Sequence, residues 1–154
     1  MKYLNHHKHN LLLITLLSAA CFLSSCKKEE DIDAIDDQII RDYIAANKLD
    51  ADKTASGLYY VTEEAGTEQY PTLSNEVRVQ YKGYYTDGEV FDANTLTFPL
   101  SGVISGWQEG LQKFGKGGKG KLLIPSRLGY GSNPPAAIRP DAVLIFNIYL
   151  IDIK

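Results

Sequence analysis

The side chains best suited to chemistry in this sequence are aromatic rings and one carboxylate in the central part of the chain. Tyr81 lies in a β-prone run before the Asp87-Gly88 pair, and Phe91-Asp92 lies in the run after it. An Asp-Gly pair between two such runs is typical of a tight type I′ turn, because both residues tolerate positive φ. The pattern predicts a β-hairpin that carries these side chains toward Trp107, at the start of a helix. We therefore expect an aromatic pocket without an obvious nucleophile.

The positions of the histidines and cysteines limit the chemistry that depends on imidazole or thiol groups. The histidines are His6, His7 and His9, and the cysteines are Cys21 and Cys26. If the chain is cleaved before Cys26, as argued below, neither an imidazole nor a free thiol remains. Ser-His and Cys-His catalysis would then be absent, and so would a zinc site built from His or Cys. The prediction is a site that uses neither a metal nor another cofactor.

The charge balance argues against nucleic acid as a partner. The chain has 16 Lys and Arg against 19 Asp and Glu, a formal net charge of −3. Residues 1–25 contain two of these lysines and no acid, so 14 basic and 19 acidic side chains remain after cleavage, a formal charge of −5. Binding to nucleic acid needs clustered positive charge that neutralises phosphates. We therefore expect no nucleic-acid partner.

Several stretches have the composition of β-strands and would position the aromatic side chains. The clearest is 75–85, where alternating apolar and polar residues predict one face toward the core and one toward water. Residues 142–153 are apolar on both faces and are therefore predicted to form a central strand. The other strand candidates are 56–62 and 119–124, and 125–141 is predicted to be a long loop.

A short helix is predicted to begin at Ser105, with Trp107 on its buried side and Gly115 at its end. Ser105 and Gln108 have the spacing of a capping box, in which two residues satisfy each other's free backbone amides. Together these elements predict an α+β domain over 56–154, an antiparallel β-sheet wrapped around a short helix.

In order and spacing, these blocks resemble those of the FKBP family of peptidyl-prolyl cis-trans isomerases, over about residues 57–154. The resemblance implies an FKBP-like fold, in which a tryptophan is the floor under the substrate proline and a loop tyrosine bonds a substrate carbonyl. It places Asp92 as a buried polar wall with Tyr81 as its donor. It implies catalytic roles for Tyr81, Asp92 and Tyr130, substrate contacts for Phe91, Val103, Ile104, Trp107, Ile138 and Phe146, and further wall positions for Leu96 and Phe98.

The chemistry of X-Pro bonds agrees with such a pocket. Rotation about the amide faces a barrier of roughly 20 kcal/mol because twisting destroys resonance. The twisted amide is less polar than either planar form, so a dry aromatic pocket binds it better and lowers the barrier without a covalent step. The expected partners are X-Pro segments of exported proteins, and the resemblance adds macrolide inhibitors. The alternatives are a proline-binding module or holdase chaperone with weak catalysis, and a structural lipoprotein with a decayed pocket.

The sequence departs from the family pattern at the rim of the predicted pocket. A loop predicted at 93–97, after Asp92, is shorter than in the best-known members and lacks the basic residue that often pairs with the aspartate. Arg139 stands where a proline is common, and Ala136-Ala137 stands where larger residues line the rim. We expect these changes to affect substrate preference and macrolide affinity and to leave the Trp107 floor in place.

The amino terminus has the pattern of a lipoprotein signal. Its apolar run at 11–17 is shorter than the roughly 20 residues that a spanning helix needs. Leu23-Ser-Ser-Cys26 matches a lipobox, so we expect removal of 1–25 and lipidation of Cys26. The protein would then lie in the cell envelope, anchored in the outer membrane and facing the periplasm or the outside. Cys21 is a rival that lacks the aliphatic residue three places earlier, and a plain signal peptide or an uncleaved anchor is the alternative.

Two further segments would separate the lipid from the domain. Residues 26–31 are charged and are predicted to form a tether, although acids behind a lysine also resemble an export signal for surface display. In 32–55, apolar residues recur at i, i+3, i+4 and i+7, which predicts an amphipathic helix up to Leu49 and then a linker. The apolar stripe of this helix would be buried against its own domain, a second copy or a client.

Overall fold

The computed structural model describes residues 31–154 of the chain. The predicted signal peptide, Cys26 and the tether up to Glu30 lie outside this range. The described strands are β1 (Asp52–Lys53), β2 (Tyr59–Glu64), β3 (Glu76–Tyr84), β4 (Val90–Pro99), β5 (Lys119–Ile124) and β6 (Leu144–Ile153), and the described α-helices are α1 (Ile32–Asn47) and α2 (Ser105–Gly110). Within the same residues, no helix is both long and apolar enough to cross a membrane.

The strands of the described region form one six-stranded sheet in the order β1-β2-β5-β6-β3-β4, and every neighbouring pair is antiparallel. β6 lies between β5 and β3, which is the central position that its two apolar faces predicted. On β3, Val77 and Val79 are fully buried, and the intervening Arg78 is exposed. The predicted α+β fold, with an antiparallel sheet packed on a short helix, is therefore confirmed.

Helix α2 lies directly against β5 because two of its residues lack a side chain. A Cβ atom built on Gly106 would lie 2.5 Å from Cγ2 of Ile124, and one built on Gly110 would lie 2.5 Å from Cδ2 of Leu122. A larger residue at either position would push the helix off the strand, since the interior has no room to absorb it. This close approach fixes the part of α2 that carries Trp107.

Helix α1 packs on the opposite face of the sheet. Ile40 is fully buried among Tyr59, Leu123 and Ile145, and these three alternate along their strands with residues that face α2. At its start, the Asp31 carboxylate accepts a hydrogen bond from the Ala34 amide at 3.3 Å. The predicted amphipathic helix is present, and its own domain is the surface that buries Ile40.

Part of the predicted apolar stripe of α1 stays at the surface. Ile32 and Ile35 are each 39% exposed and Ile39 is 37% exposed. The residue that shares the buried face with Ile40 is Asp36, one turn earlier. The apolar spacing therefore identified the helix and the residues Ile40, Tyr43 and Ile44 that face the sheet, but it did not distinguish them from the three isoleucines at the surface.

The β3–β4 turn differs from the predicted type I′ turn. The Tyr85 amide donates to the Glu89 carbonyl and the Gly88 amide donates to the Tyr85 carbonyl, both at 2.9 Å. Within this turn only Gly88 has a positive φ, at 89°. The arrangement is a three-residue loop, a type I turn followed by a left-handed glycine. The Asp87 carboxylate holds it by accepting from the Glu89 amide at 3.0 Å.

Three other local predictions are also wrong. Residues 93–97 are not a loop but part of β4, because they pair with β3 in continuous register. The capping box at Ser105 does not form, since Ser105 is the first helical residue and Ile104 is the N-cap without a side-chain bond. Instead, Gln108 Nε2 donates to the Val103 carbonyl at 2.8 Å. α2 also ends before Gly115, because a 3₁₀ turn follows Gly110.

Candidate active site

One cleft in the described structure is lined mainly by aromatic and aliphatic side chains. It has a volume of about 400 Å³ and lies between the sheet, α2 and the loop from β5 to β6. The sequence-predicted residues that line it are Tyr81, Phe91, Asp92, Val103, Ile104, Trp107, Tyr130, Ile138 and Phe146, with Leu96 and Phe98 beside them. Gly102 also lines the cleft and was not predicted, because a glycine next to Val103 gives no signal of its own. The structure thus brings the predicted set together, and the role of each residue stays a prediction.

A β-bulge lets two consecutive residues of β4 both reach the cleft. Gly83 pairs with Asp92 and Tyr84 pairs with Val90, so Phe91 is the extra residue of the bulge. Side chains on a regular strand alternate between faces, and a bulge interrupts that alternation. Phe91 and Asp92 therefore line the same cleft, which alternation alone does not predict.

Trp107 and Phe146 form the buried floor of the cleft, at 5% and 4% exposed. Their rings meet edge to face, with centroids 5.1 Å apart and an interplanar angle of 86°. The Tyr81 ring meets Trp107 in the same way, at 5.0 Å and 87°. Such orthogonal pairs are favourable because the positive ring edge lies over the negative face. The indole N–H of Trp107 is buried and has no hydrogen-bond partner among the described residues.

A glycine makes room for the next pair of rings. Phe91 lies edge-on to Phe146, with centroids 5.5 Å apart and an angle of 86°. A Cβ built on Gly83 would lie 2.6 Å from Cε2 of Phe91 and 2.7 Å from Cε1 of Phe146. Any side chain at this inward-facing position would therefore separate the rings. The wall formed by Phe91 depends on the absence of a side chain on the neighbouring strand.

The polar edge of the cleft is a pair formed by Tyr81 and Asp92. The Tyr81 hydroxyl donates to Oδ2 of Asp92 at 2.6 Å, as the sequence predicted. Burial, and then the bond to Asp92, raise the pKa of the Tyr81 hydroxyl above its usual value. Asp92 itself is exposed, so the expectation of a buried carboxylate is wrong, and none of the ion pairs within 31–154 includes it. The pair lies at the rim, where Tyr81 holds the carboxylate in place.

Tyr130 contributes a second hydroxyl to the cleft. Its side chain is 41% exposed, and its hydroxyl makes no hydrogen bond to another residue of the described region. Partial burial, with the negative charge of Asp92 as a smaller cause, raises the pKa of the Tyr130 hydroxyl. The group therefore keeps its proton at neutral pH and is available as a donor to a bound ligand.

Arg139 fastens the long loop to the β3–β4 turn, with Ile138 beside it in the cleft. Its guanidinium contacts Asp87 at 2.7 Å and Glu89 at 2.6 Å. It also lies over the Tyr85 ring, 4.1 Å from the centroid. Its backbone amide donates to the Tyr85 hydroxyl at 3.0 Å. A proline is common at this position in the family and would make the loop rigid. In this chain Arg139 holds the loop through these contacts instead.

A larger and more polar concavity lies elsewhere on the sheet. Its volume is about 720 Å³, and its lining includes Lys82, Lys121 and Asn147. Within 31–154, no group of three or more His, Cys, Asp and Glu side chains is placed to hold a metal ion. The aromatic cleft remains the candidate active site, because polar groups converge there on a largely apolar lining.

Comparison with protein families gives one assignment. The sequence model described as FKBP-type peptidyl-prolyl cis-trans isomerase matches residues 67–151. FkpA of Escherichia coli K12, described by the same activity, is 45% identical over 108 residues, which cover 66% of this chain and 40% of FkpA. FkpA of Aeromonas hydrophila is 40% identical over 136 residues, which cover 83% of this chain and 51% of that protein. The chain spans about half, or less, of the length of these relatives.

Solved structures give the same fold. The crystal structure of Escherichia coli FkpA matches with a TM-score of 0.72 and 33% identity, covering 99% of this chain and 75% of that one. A peptidyl-prolyl cis-trans isomerase from Pseudomonas syringae matches with a TM-score of 0.67 and 32% identity, covering 79% of this chain and 95% of that one. The family match extends across the cleft, from β3 to β6.

Proposed function

Because the chain belongs to the FKBP-type peptidyl-prolyl cis-trans isomerase family, we propose that its aromatic cleft catalyses the cis–trans isomerisation of X-Pro peptide bonds. The observation that carries this proposal is the cleft itself. Orthogonal aromatic rings form a buried floor, and two tyrosine hydroxyls and one carboxylate lie at its edge. The cleft is large enough for a proline ring and its neighbouring peptide groups, and small clefts of this apolar kind are the usual form of ligand sites.

Catalysis would come from binding the twisted amide better than the planar one. The barrier of roughly 20 kcal/mol reflects the loss of amide resonance. A twisted amide has less charge separation than a planar one. Its transfer from water to a dry aromatic surface therefore costs less free energy, and the cleft binds the twisted form better. Each tenfold acceleration needs about 1.4 kcal/mol of such differential binding. Exclusion of water and one or two oriented hydrogen bonds are enough to supply several such factors.

Each side chain would have a role that depends on its position in the cleft. Trp107 would carry the proline ring, and the walls would exclude water from it. Tyr130 would donate its free hydroxyl to a substrate carbonyl, and the Tyr81–Asp92 pair would supply a fixed polar edge. The wall residues in this account are Phe91, Val103, Ile104, Ile138 and Phe146.

An isomerase assay tests the proposal. The purified protein should accelerate isomerisation in an Ala-Leu-Pro-Phe peptide, followed by protease coupling or by NMR exchange. The rate should not change when a chelator is added, because no step requires a metal. A folded protein that leaves the uncatalysed rate unchanged would refute the proposal. Competition by an FKBP-binding macrolide would test whether the cleft with its altered rim still accepts such inhibitors.

We also propose that the protein acts in the cell envelope, on X-Pro segments of exported proteins, while anchored by a lipid on Cys26. The Leu23-Ser-Ser-Cys26 pattern supports this placement. Mass spectrometry of membrane-extracted protein should find an acylated amino-terminal Cys26, and Cys26→Ser should accumulate the precursor. A soluble mature form with another amino terminus would contradict the anchor. If Glu29 and Glu30 direct surface display, their replacement by Ala should protect the protein from protease added to intact cells.

A second candidate function is supported by the exposed isoleucines of α1. Ile32, Ile35 and Ile39 form an apolar ridge that the domain buries only in part, and a holdase needs an exposed apolar surface for unfolded chains. The double variant Ile35→Glu with Ile39→Glu should then lose suppression of aggregation of a denatured test protein while its isomerase rate stays the same. Equal suppression by the wild type and the variant would remove this candidate.

A further inference from the structure

Asp36 of α1 and Ser126, after β5, form a buried polar contact between distant parts of the chain. Within 31–154 they are the buried residues with a polar or charged side chain that is not aromatic, at 1% and 2% exposed. Oδ2 of Asp36 accepts from the Ser126 amide at 2.7 Å and from the Ser126 hydroxyl at 2.6 Å. Burying a carboxylate is unfavourable unless it is well hydrogen-bonded, as it is here. Ile40 already docks α1 by apolar contact, so helix packing alone does not explain Asp36.

Ser126 in turn organises the backbone on both sides of Tyr130. Its carbonyl oxygen accepts hydrogen bonds from the amides of Gly129 and Gly131, each at 2.9 Å. Tyr130 lies between these two glycines, and its hydroxyl is the free donor of the cleft. A continuous series of hydrogen bonds thus leads from the carboxylate of Asp36 to the backbone that aims Tyr130.

We infer that Asp36 is a positioning residue for Tyr130, so that the docking of α1 on the domain sets the geometry of the active-site donor. This inference rests on the proposed isomerase function. With Asp36 in place, the turn is held at the amide, hydroxyl and carbonyl of Ser126. Without it, two buried donors lose their acceptor and the turn has to rearrange to reach water or another partner.

The neighbouring carboxylate gives a matched control. Asp37 accepts from Lys53 Nζ at 2.5 Å and from the Tyr59 hydroxyl at 2.7 Å, so it ties α1 to β1 and β2. It makes no described contact with the Ser126 turn. Asp33 does approach that turn, through an ion pair with Arg127 at 2.7 Å, but both side chains are about half exposed. A contact of that kind contributes little, which makes Asp36 the main link.

Two readouts on the full chain test the inference. The first is kcat/KM for the Ala-Leu-Pro-Phe peptide in Asp36→Ala, in Tyr130→Phe and in the double variant. Because Asp36 acts through the Tyr130 hydroxyl, the Asp36→Ala substitution should lower kcat/KM about fivefold or more when Tyr130 is present. The same substitution should lower kcat/KM less than about twofold in the Tyr130→Phe background. The second is hydrogen exchange of the Gly129 and Gly131 amides, which should become faster. Asp37→Ala should change neither readout.

Further variants separate positioning from stability. Asp36→Asn keeps a carbonyl oxygen that can accept from Ser126 and should restore most of the activity. Ser126→Ala loses the hydroxyl bond, keeps the backbone bonds and should give a smaller loss, so the inference remains testable if Asp36→Ala folds poorly. Equal losses from Asp36→Ala in both Tyr130 backgrounds, or unchanged exchange at Gly129 and Gly131, would overturn it. An inactive wild type would refute the proposed function, and unchanged exchange would still refute the coupling.

Discussion

The Tyr81 hydroxyl donates to Oδ2 of Asp92 across 2.6 Å, so one side chain joins the polar edge of the cleft to its aromatic floor. The ring of the same tyrosine lies edge-on to Trp107 at 5.0 Å. Asp92 is exposed and has no cationic partner among the described residues, so this bond is what orients its carboxylate. The two contacts of Tyr81 can therefore be separated by substitution.

Tyr81→Phe should keep the floor and lose the polar edge. The ring stays, and a bond of this kind to an exposed carboxylate contributes about 1 kcal/mol, which corresponds to about a fivefold loss in kcat/KM. Peptide isomerisation and thermal unfolding should be measured together. Tyr149→Phe, which removes a hydroxyl from β6 outside the cleft, is the control and should leave the rate unchanged. A Tyr81→Phe enzyme as active as the wild type would show that the orientation of Asp92 is irrelevant.

Gly106→Ala should disturb the floor from below. The new Cβ would meet Ile124 at 2.5 Å, and overpacking of this kind costs about 1 to 3 kcal/mol of unfolding free energy. Trp107 is the only tryptophan of the chain, so its fluorescence reports the displacement of α2 directly. Gly102→Ala is the matched control, since nothing lies within 4 Å of its added Cβ. An unchanged emission spectrum and unfolding free energy in Gly106→Ala would contradict the close packing of α2 on β5.

The pH dependence follows from the two cleft tyrosines. Burial raises the pKa of both hydroxyls above the usual value of about 10, so both keep their protons below that pH. We expect kcat/KM to be nearly flat between about pH 6 and 9, the range that includes histidine titration. A bell-shaped profile centred near neutral pH would indicate a titrating group that the cleft does not contain.

The same shift has a consequence for stability. A folded-state pKa raised above the unfolded value contributes stability that is fully present below the unfolded pKa and is lost as pH rises through the folded one. The unfolding free energy of the wild type should therefore fall above about pH 10. The unfolding free energy of Tyr81→Phe, measured by urea titration, should fall less steeply over this pH range, because the variant lacks the Tyr81 hydroxyl with its raised pKa. Parallel curves for the two proteins would contradict the raised pKa of Tyr81.

Arg139→Ala should loosen the loop that carries Ile138. The substitution removes the contacts of the guanidinium with Asp87, Glu89 and the Tyr85 ring. Because exposed ion pairs are each weak, their combined loss should raise KM by about threefold, with kcat little changed. The wild-type KM should also rise with salt, since screening weakens exposed pairs. Arg78→Ala, an exposed arginine of β3, should have neither effect. A KM independent of both Arg139 and salt would show that the loop is held by other contacts.

Features set by local pattern were predictable from the sequence. The apolar faces of residues 142–153 predicted the central position of β6 in the sheet, and helical spacing identified α1. The family resemblance predicted the residues that line the cleft. Features set by distant contacts were not predictable. Asp36 has the pattern of a solvated helix-start acid, and only Ser126, 90 residues away, explains its burial.

Other differences also arise where contacts in the folded domain override a local sequence pattern. Ser105 and Gln108 have capping-box spacing, but Gln108 donates to the Val103 carbonyl, and the helix begins one residue earlier than the motif requires. Comparison with the family pattern predicts a loop at 93–97, although pairing with β3 makes these residues a strand. The bulge that turns both Phe91 and Asp92 into the cleft depends on the register of two strands, which neither strand encodes alone.

The most direct test of the account is the double variant Asp92→Ala with Tyr130→Phe, measured by NMR exchange on the Ala-Leu-Pro-Phe peptide. Both residues are exposed at the rim, so the domain should stay folded, with a thermal midpoint close to that of the wild type. The floor would be intact and the polar edge absent, and each loss should cost about tenfold in kcat/KM. The account predicts a folded protein whose kcat/KM is reduced by about 30- to 100-fold and is unaffected by chelators. Wild-type activity in the folded double variant, or activity that a chelator removes, would contradict it.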